Sequence, residues 1–101
     1  MQIIPIQPVK NQTLQVILAG QKCSINVYQK YTGLYLDLYV NFEPVICGVI
    51  CQNENPIVRS PYLGFIGDLA FIDSQGSDDP DYTGLGTRYN LAYIEASDIA
   101  G

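Results

Sequence analysis

Gly33-Leu34-Tyr35-Leu36-Asp37-Leu38-Tyr39-Val40-Asn41 is the clearest stretch in the chain. Leu34, Leu36, Leu38 and Val40 fall on one side of a two-residue period, and Tyr35, Asp37 and Tyr39 on the other. That alternation is the mark of a half-buried strand, with leucines inward and tyrosines outward. The tyrosine ladder has two readings. It stabilises the sheet through cross-strand aromatic pairs, or it forms a protein-contact face.

The flanking sequence repeats the pattern. Residues 12–19 alternate through Leu14, Val16 and Leu18. Residues 22–29 place Cys23, Ile25 and Val27 on one face, and the turn Gly20-Gln21 between these runs predicts a hairpin. After a turn at Glu43-Pro44, residues 45–51 are apolar on both faces. Such a strand sits centrally, inside a barrel corner or under an oligomer contact, and Gly48 within it marks a bulge or a close backbone approach. Residues 60–67 read as a turn, 68–73 and 88–95 as strands. Ile3, Ile4 and Ile6, broken by Pro5 and followed by Pro8, read as an edge strand or an extended arm, because proline cannot donate to a central ladder. Such an arm packs on its own domain or on a neighbour, and its removal (residues 1–8) is expected to leave the domain folded. Residues 96–101 read as a frayed tail. The sum is one domain over residues 1–101: all-β, a small barrel or sandwich of six or seven antiparallel strands.

Composition excludes more than it proposes. The chain has 101 residues, a net charge of −5, eight tyrosines and no histidine. Residues 1–50 hold Lys10, Lys22 and Lys30 against Asp37 and Glu43, while residues 51–101 hold Arg59 and Arg88 against eight carboxylates. Three scattered lysines make no basic face, so nucleic-acid recognition is not expected. Without histidine there is no Ser-His or Cys-His nucleophile pair, and an enzyme is not expected. Cys23, Cys47 and Cys51 are odd in number. On one strand the last two would lie about 13 Å apart at ~3.3 Å per residue, too far for a disulfide. All three read as small buried hydrophobes in a reducing compartment. The N-terminus lacks the basic region and long apolar run of a signal peptide, and no apolar run approaches the ~18 residues of a membrane span.

The stretch Asp78-Asp79-Pro80-Asp81-Tyr82-Thr83-Gly84-Leu85-Gly86 is the most distinctive. With Asp73, Ser74 and Ser77, its carboxylates offer oxygen ligands for calcium, but the spacing fits no known calcium loop, and a solvated turn is the preferred reading. Gly84-Leu85-Gly86 lacks the third glycine and the helix of a dinucleotide fingerprint. No cofactor is expected. Arg88 is positioned to pair with Asp79 or Asp81 across the turn.

Three segments together carry a family resemblance: Ile4-Pro5-Ile6 with Asn11-Gln12-Thr13-Leu14-Gln15-Val16, then Thr32-Gly33-Leu34-Tyr35-Leu36-Asp37-Leu38, then Pro80-Asp81-Tyr82-Thr83-Gly84-Leu85-Gly86 with Leu91 and Tyr93. In this order and spacing the chain resembles the small baseplate plug family of contractile-tailed bacteriophages. The resemblance implies an OB-like β barrel with an N-terminal extended arm. It also implies a structural virion protein that plugs or bridges the tail tube or hub and the central spike near the tail axis. Partners would be tube, hub and spike proteins and further copies of the chain, with assembly in the host cytoplasm. Contact residues expected on this reading are Ile3, Ile4, Ile6, Tyr35, Tyr39, Asp81, Arg88 and Tyr93. A competing reading is a small OB-like module that binds a carbohydrate or a peptide.

Overall fold

The structure is a computed structural model that describes residues 2–58 and 65–95. The arginine at 59, most of the 60–67 turn and the tail at 96–101 lie outside the described residues. The class is all-β, as the sequence predicts. Among the described residues seven strands form: β1 (Gln2–Ile4), β2 (Asn11–Leu18), β3 (Gln21–Lys30), β4 (Gly33–Val40), β5 (Glu43–Ile50), β6 (Asp68–Asp73) and β7 (Tyr89–Ile94). They make a four-stranded sheet, β2-β3-β4-β5, and a three-stranded sheet, β1-β7-β6. All strand pairs are antiparallel.

The four-stranded sheet is a meander because two-residue turns close its hairpins. Leu18 faces Gln21 across Ala19 and Gly20, with φ values of 51° and 77°. Val40 faces Glu43 across Asn41 and Phe42, with φ values of 52° and 68°. Positive φ at both central positions matches the right-handed twist of the flanking strands. The turns thus fall one residue earlier than Gly20-Gln21 and two earlier than Glu43-Pro44, so Glu43 and Pro44 belong to β5.

The leucine stripe on β4 is where the sequence places it: Leu34, Leu36 and Leu38 have no accessible surface. They share one core with Ile25 and Val27 of β3 and with Leu69, Phe71, Leu91 and Tyr93 of the smaller sheet. A fully buried side chain of this size contributes ~1.5–3 kcal/mol, so this stripe dominates local stability.

Ladder closure between the sheets is partial. The chain leaving β5 crosses to the outer edge of β6, where Glu54 N–H donates to the Phe71 carbonyl at 2.8 Å and Ile57 N–H to the Leu69 carbonyl at 2.8 Å. At the opposite seam, side chain replaces ladder: the Gln12 amide both accepts from Gln7 N–H (3.0 Å) and donates to Gln7 C=O (2.6 Å). Bonds that would close a barrel are in this way carried by connecting chain.

Three expectations are corrected. Strand β5 is an edge strand: Cys47, Gly48 and Ile50 are exposed, and Val45, Ile46 and Val49 half-buried. Apolarity on both faces does not report position in the sheet; here the last strand of a meander is left outermost. Cys47 is accordingly exposed, while Cys23 and Cys51 are buried, and all three are unpaired. The N-terminal segment is integral to the domain. Ile4 pairs with Leu91 and is 1% exposed, and Ile6 is 6% exposed in the same core. The segment thus takes the edge-strand form and packs on its own domain, and removing residues 1–8 is expected to open the core rather than leave the domain folded.

Gly48 does mark a bulge, with φ of 67° and register shifts opposite it on β4. Gly86 locks the N-terminal segment in place. Its φ is 81°, and a Cβ there would lie 2.4 Å from the Ile6 carbonyl oxygen. Gly86→Ala is expected to lower the Tm markedly, since backbone must move to admit the methyl group. Ala19→Asn is expected to raise it, recovering part of the ~1–2 kcal/mol that a left-handed conformation costs an L residue. Thermal melts followed by circular dichroism check both.

Candidate functional site

The outer face of the four-stranded sheet is built by the polar half of the alternation. Tyr28 faces Tyr35, Asn26 faces Asp37, and Ser24 faces Tyr39. Asp37 is its electrostatic centre. Its Oδ1 accepts from Tyr28 OH at 2.9 Å and from Gly48 N–H at 2.7 Å, and its Oδ2 from Asn26 at 3.3 Å. Burial pushes the Asp37 carboxyl up. The Gly48 N–H, Tyr28 and Asn26, with Lys30 nearby, outweigh burial and hold it below the ordinary carboxylate value. Burial, with Asp37 adding to it, pushes the Tyr28 phenol up to about 12. Asp37 thus ties the β5 bulge to the sheet.

Around this centre lies an aromatic band. The Tyr28 and Tyr35 rings stack with centroids 6.0 Å apart, and Lys30 Nζ sits 5.5 and 5.3 Å from the two centroids. Thr32 Oγ1 and Tyr35 OH are 2.6 Å apart. Tyr39 OH accepts from Cys47 Sγ at 3.8 Å. These rings stay half-exposed, which suits a face that contacts a partner. At one end of the sheet, Phe42 is 85% exposed and Ile17 63% exposed. With Gln15, Val16, Lys22 and Asn41 they border an open depression of about 490 Å³. Phe42 combines exposure with a positive φ, an unfavourable conformation for a bulky residue. Sequence reading missed it because the turn was placed two residues later; Asn41 ahead of it, a residue that tolerates positive φ, was the available signal.

The second predicted cluster gathers on the buried Asp73. Arg88 pairs with Asp73 and Asp78, correcting the expected pairing with Asp79 or Asp81. Arg88 Nε and Nη2 donate to the two Asp73 oxygens at 2.8 Å each, and Nη2 also to Asp78 Oδ2 at 2.8 Å. The reason is direction: Asp73 ends β6 directly opposite Tyr89, so its carboxylate meets the arginine immediately before β7. Asp73 accepts further from Gln75 N–H and Asp78 N–H, both at 2.9 Å. Asp79 instead accepts from Asn53 N–H at 3.0 Å. Asp81 caps the 3-10 turn Tyr82–Gly84, accepting from the Thr83 backbone and hydroxyl. Each loop carboxylate has a structural partner, with Asp73 and Asp78 sharing Arg88, and among the described residues no group of three or more Cys, Asp or Glu is placed to hold a metal.

The remaining predicted residues divide by burial. Tyr93 is buried, donates its hydroxyl to the Ile66 carbonyl, and packs edge-on against Phe65 at 5.9 Å. Ile3 is 51% exposed on the edge strand, while Ile4 and Ile6 are in the core. Tyr35, Tyr39 and Ile3 are therefore on the surface, Asp81 is exposed, Arg88 is half-buried, and Ile4, Ile6 and Tyr93 lie in the core. No helix among the described residues is long and apolar enough to cross a membrane.

A family model described as cyanophage baseplate Pam3 plug gp18 matches residues 1–96. No curated protein matches the chain.

The Arg88 fork holds the Asp73 carboxyl far below the ordinary range, with burial opposing. A depressed carboxylate stabilises the fold above its ordinary pKa of about 4 and loses that contribution as pH falls through the folded value. Asp73→Asn should therefore be less stable at neutral pH and show a shallower loss of Tm from pH 4 down to pH 2. Melts across that window check the sign.

Proposed function

The chain belongs to the family described as cyanophage baseplate Pam3 plug gp18, a family of phage baseplate structural proteins, and on that premise we propose that it closes the tail channel. In this reading several copies sit near the tail axis and bridge the tube or hub to the central spike. The observation that carries it is the exposed aromatic and apolar band along one sheet. Tyr35, Tyr39 and Phe42 with Ile50 at the β5 edge supply large anchors, and tyrosine is among the residues that dominate interface energetics. Ile3 and Asp81 are further contact candidates. Ile4, Ile6, Arg88 and Tyr93 act by holding the contact surface in shape.

The role needs a rigid domain and contact surfaces, and no catalytic group is assigned. Assembly in the bacterial cytoplasm suits three unpaired thiols, one of them exposed. The net charge of −5 favours partners that present basic or neutral faces.

Purified tails should contain the chain in a fixed ratio to the spike protein by quantitative mass spectrometry. A Tyr35→Ala/Tyr39→Ala/Phe42→Ala variant should keep the melting transition of a folded domain yet fail to enter tails. Tails that take up this variant normally would remove the band from the interface. Absence of the wild-type chain from tails would remove the whole reading.

A further inference from the structure

Strand β1 is held to the domain in a way that permits its exchange between copies. Among the described residues it bonds to one neighbouring strand, through three residue pairs: Gln2 with Tyr93, Ile3 with Ala92 and Ile4 with Leu91. Its anchoring is nonetheless strong in kind, because Ile4 and Ile6 are buried in the shared core and the Ile6 carbonyl seats against Gly86. The groove along β7 is thus shaped for residues 2–6 of this sequence, whichever copy supplies them.

The connection from β1 to β2 is the second observation. Residues 5–10 carry Pro5 and Pro8, and the chain curls at Pro8, where Val9 N–H donates back to Gln7 C=O at 2.9 Å. The curl is clipped by the Gln12 side chain, which bonds both backbone groups of Gln7 on the exposed surface. Straightened, these six residues span roughly 20 Å at ~3.3 Å per residue, close to the 21 Å shortest dimension of the domain. Fully extended, the connection is thus comparable to the width of a closely packed copy, and the proline at 8 favours the extended chain once the clip opens.

We propose that copies of this chain associate by exchanging residues 2–6, each β1 completing the β1-β7-β6 sheet of its neighbour. The proposal rests on the reading of the chain as a repeated subunit. The closed and exchanged forms share every buried contact and differ in the linker, so the balance between them is set by the exposed Gln7–Gln12 clip and by local concentration. Exchange also lets copies that each carry −5 associate through contacts the closed form already makes, without needing a new complementary face. It gives Ile4 and Ile6 an interface role that burial within a single copy denies them.

The test uses two full-length chains in a Cys47→Ser background, one carrying Ile3→Cys and the other Ala92→Cys. The chains are co-expressed and oxidised, then run on a non-reducing gel. Exchange predicts disulfide-linked pairs, and adding Gln12→Ala should raise their yield several-fold. Ile3→Cys with Ala92→Cys in one chain is the control for geometry. If that control closes within the chain while the mixed chains stay unlinked, exchange is overturned. Native mass measured alongside separates the two ideas: oligomers without linked pairs leave self-association standing and sink only exchange, whereas monomers at every concentration sink both. As a readout without any disulfide, Gln12→Ala alone should increase the oligomer fraction several-fold; an unchanged fraction counts against the proposal. The presence of the chain in purified tails tests the baseplate reading independently.

Discussion

Burial of Leu34, Leu36 and Leu38 between two sheets is the constraint on which the rest depends. A single sheet of four strands leaves one apolar face in water, and a domain of this length has few residues with which to cover it. The cover is a three-stranded sheet assembled from both ends of the chain: β1 from the start, β6 and β7 from the close. That solution makes the N-terminal segment indispensable. It also explains why Gly86 stands where it does, since the Ile6 backbone can reach its place only against a residue without a side chain.

The acidic loop follows from the same economy. Asp73, at the end of β6, must terminate a buried strand, and its carboxylate would be costly there without partners. Arg88 and two backbone N–H groups satisfy it, and Asp78 shares the arginine. Asp79 and Asp81 serve a chain crossing and a 3-10 cap. What reads as a cluster of ligands is a set of local fastenings, of which the Asp73–Arg88–Asp78 group fixes the entry of the last strand. Gly84 adds to this, because a Cβ there would press on the Tyr89 ring.

With the interior so heavily committed, the proposed contacts fall to the surface. The outward tyrosines of β3 and β4, the apolar edge strand β5 and the strained Phe42 tip lie on one sheet, away from the strands that close the core. A structural subunit needs such a division: one face that keeps the domain rigid and another that meets neighbours. Asp37 joins them, since the same carboxylate that organises the tyrosine face also holds the Gly48 bulge of the edge strand.

The sequence by itself determined the local order. Two-residue alternation over 33–41, 22–29 and 88–95 placed the strands and their inward faces, and Gly48 announced its bulge, because both depend on nearest neighbours along the chain. The combined spacing of three short segments pointed to the family that the match over residues 1–96 establishes. Only the tertiary structure decided which strand lies at an edge, whether the isoleucines at 4 and 6 face a neighbour or their own core, and which carboxylate meets Arg88. Those outcomes rest on contacts between residues distant in sequence, such as Ile4 with Leu91 and Ile6 with Gly86. Periodicity reports the face of a strand, but carries no information on what packs against it.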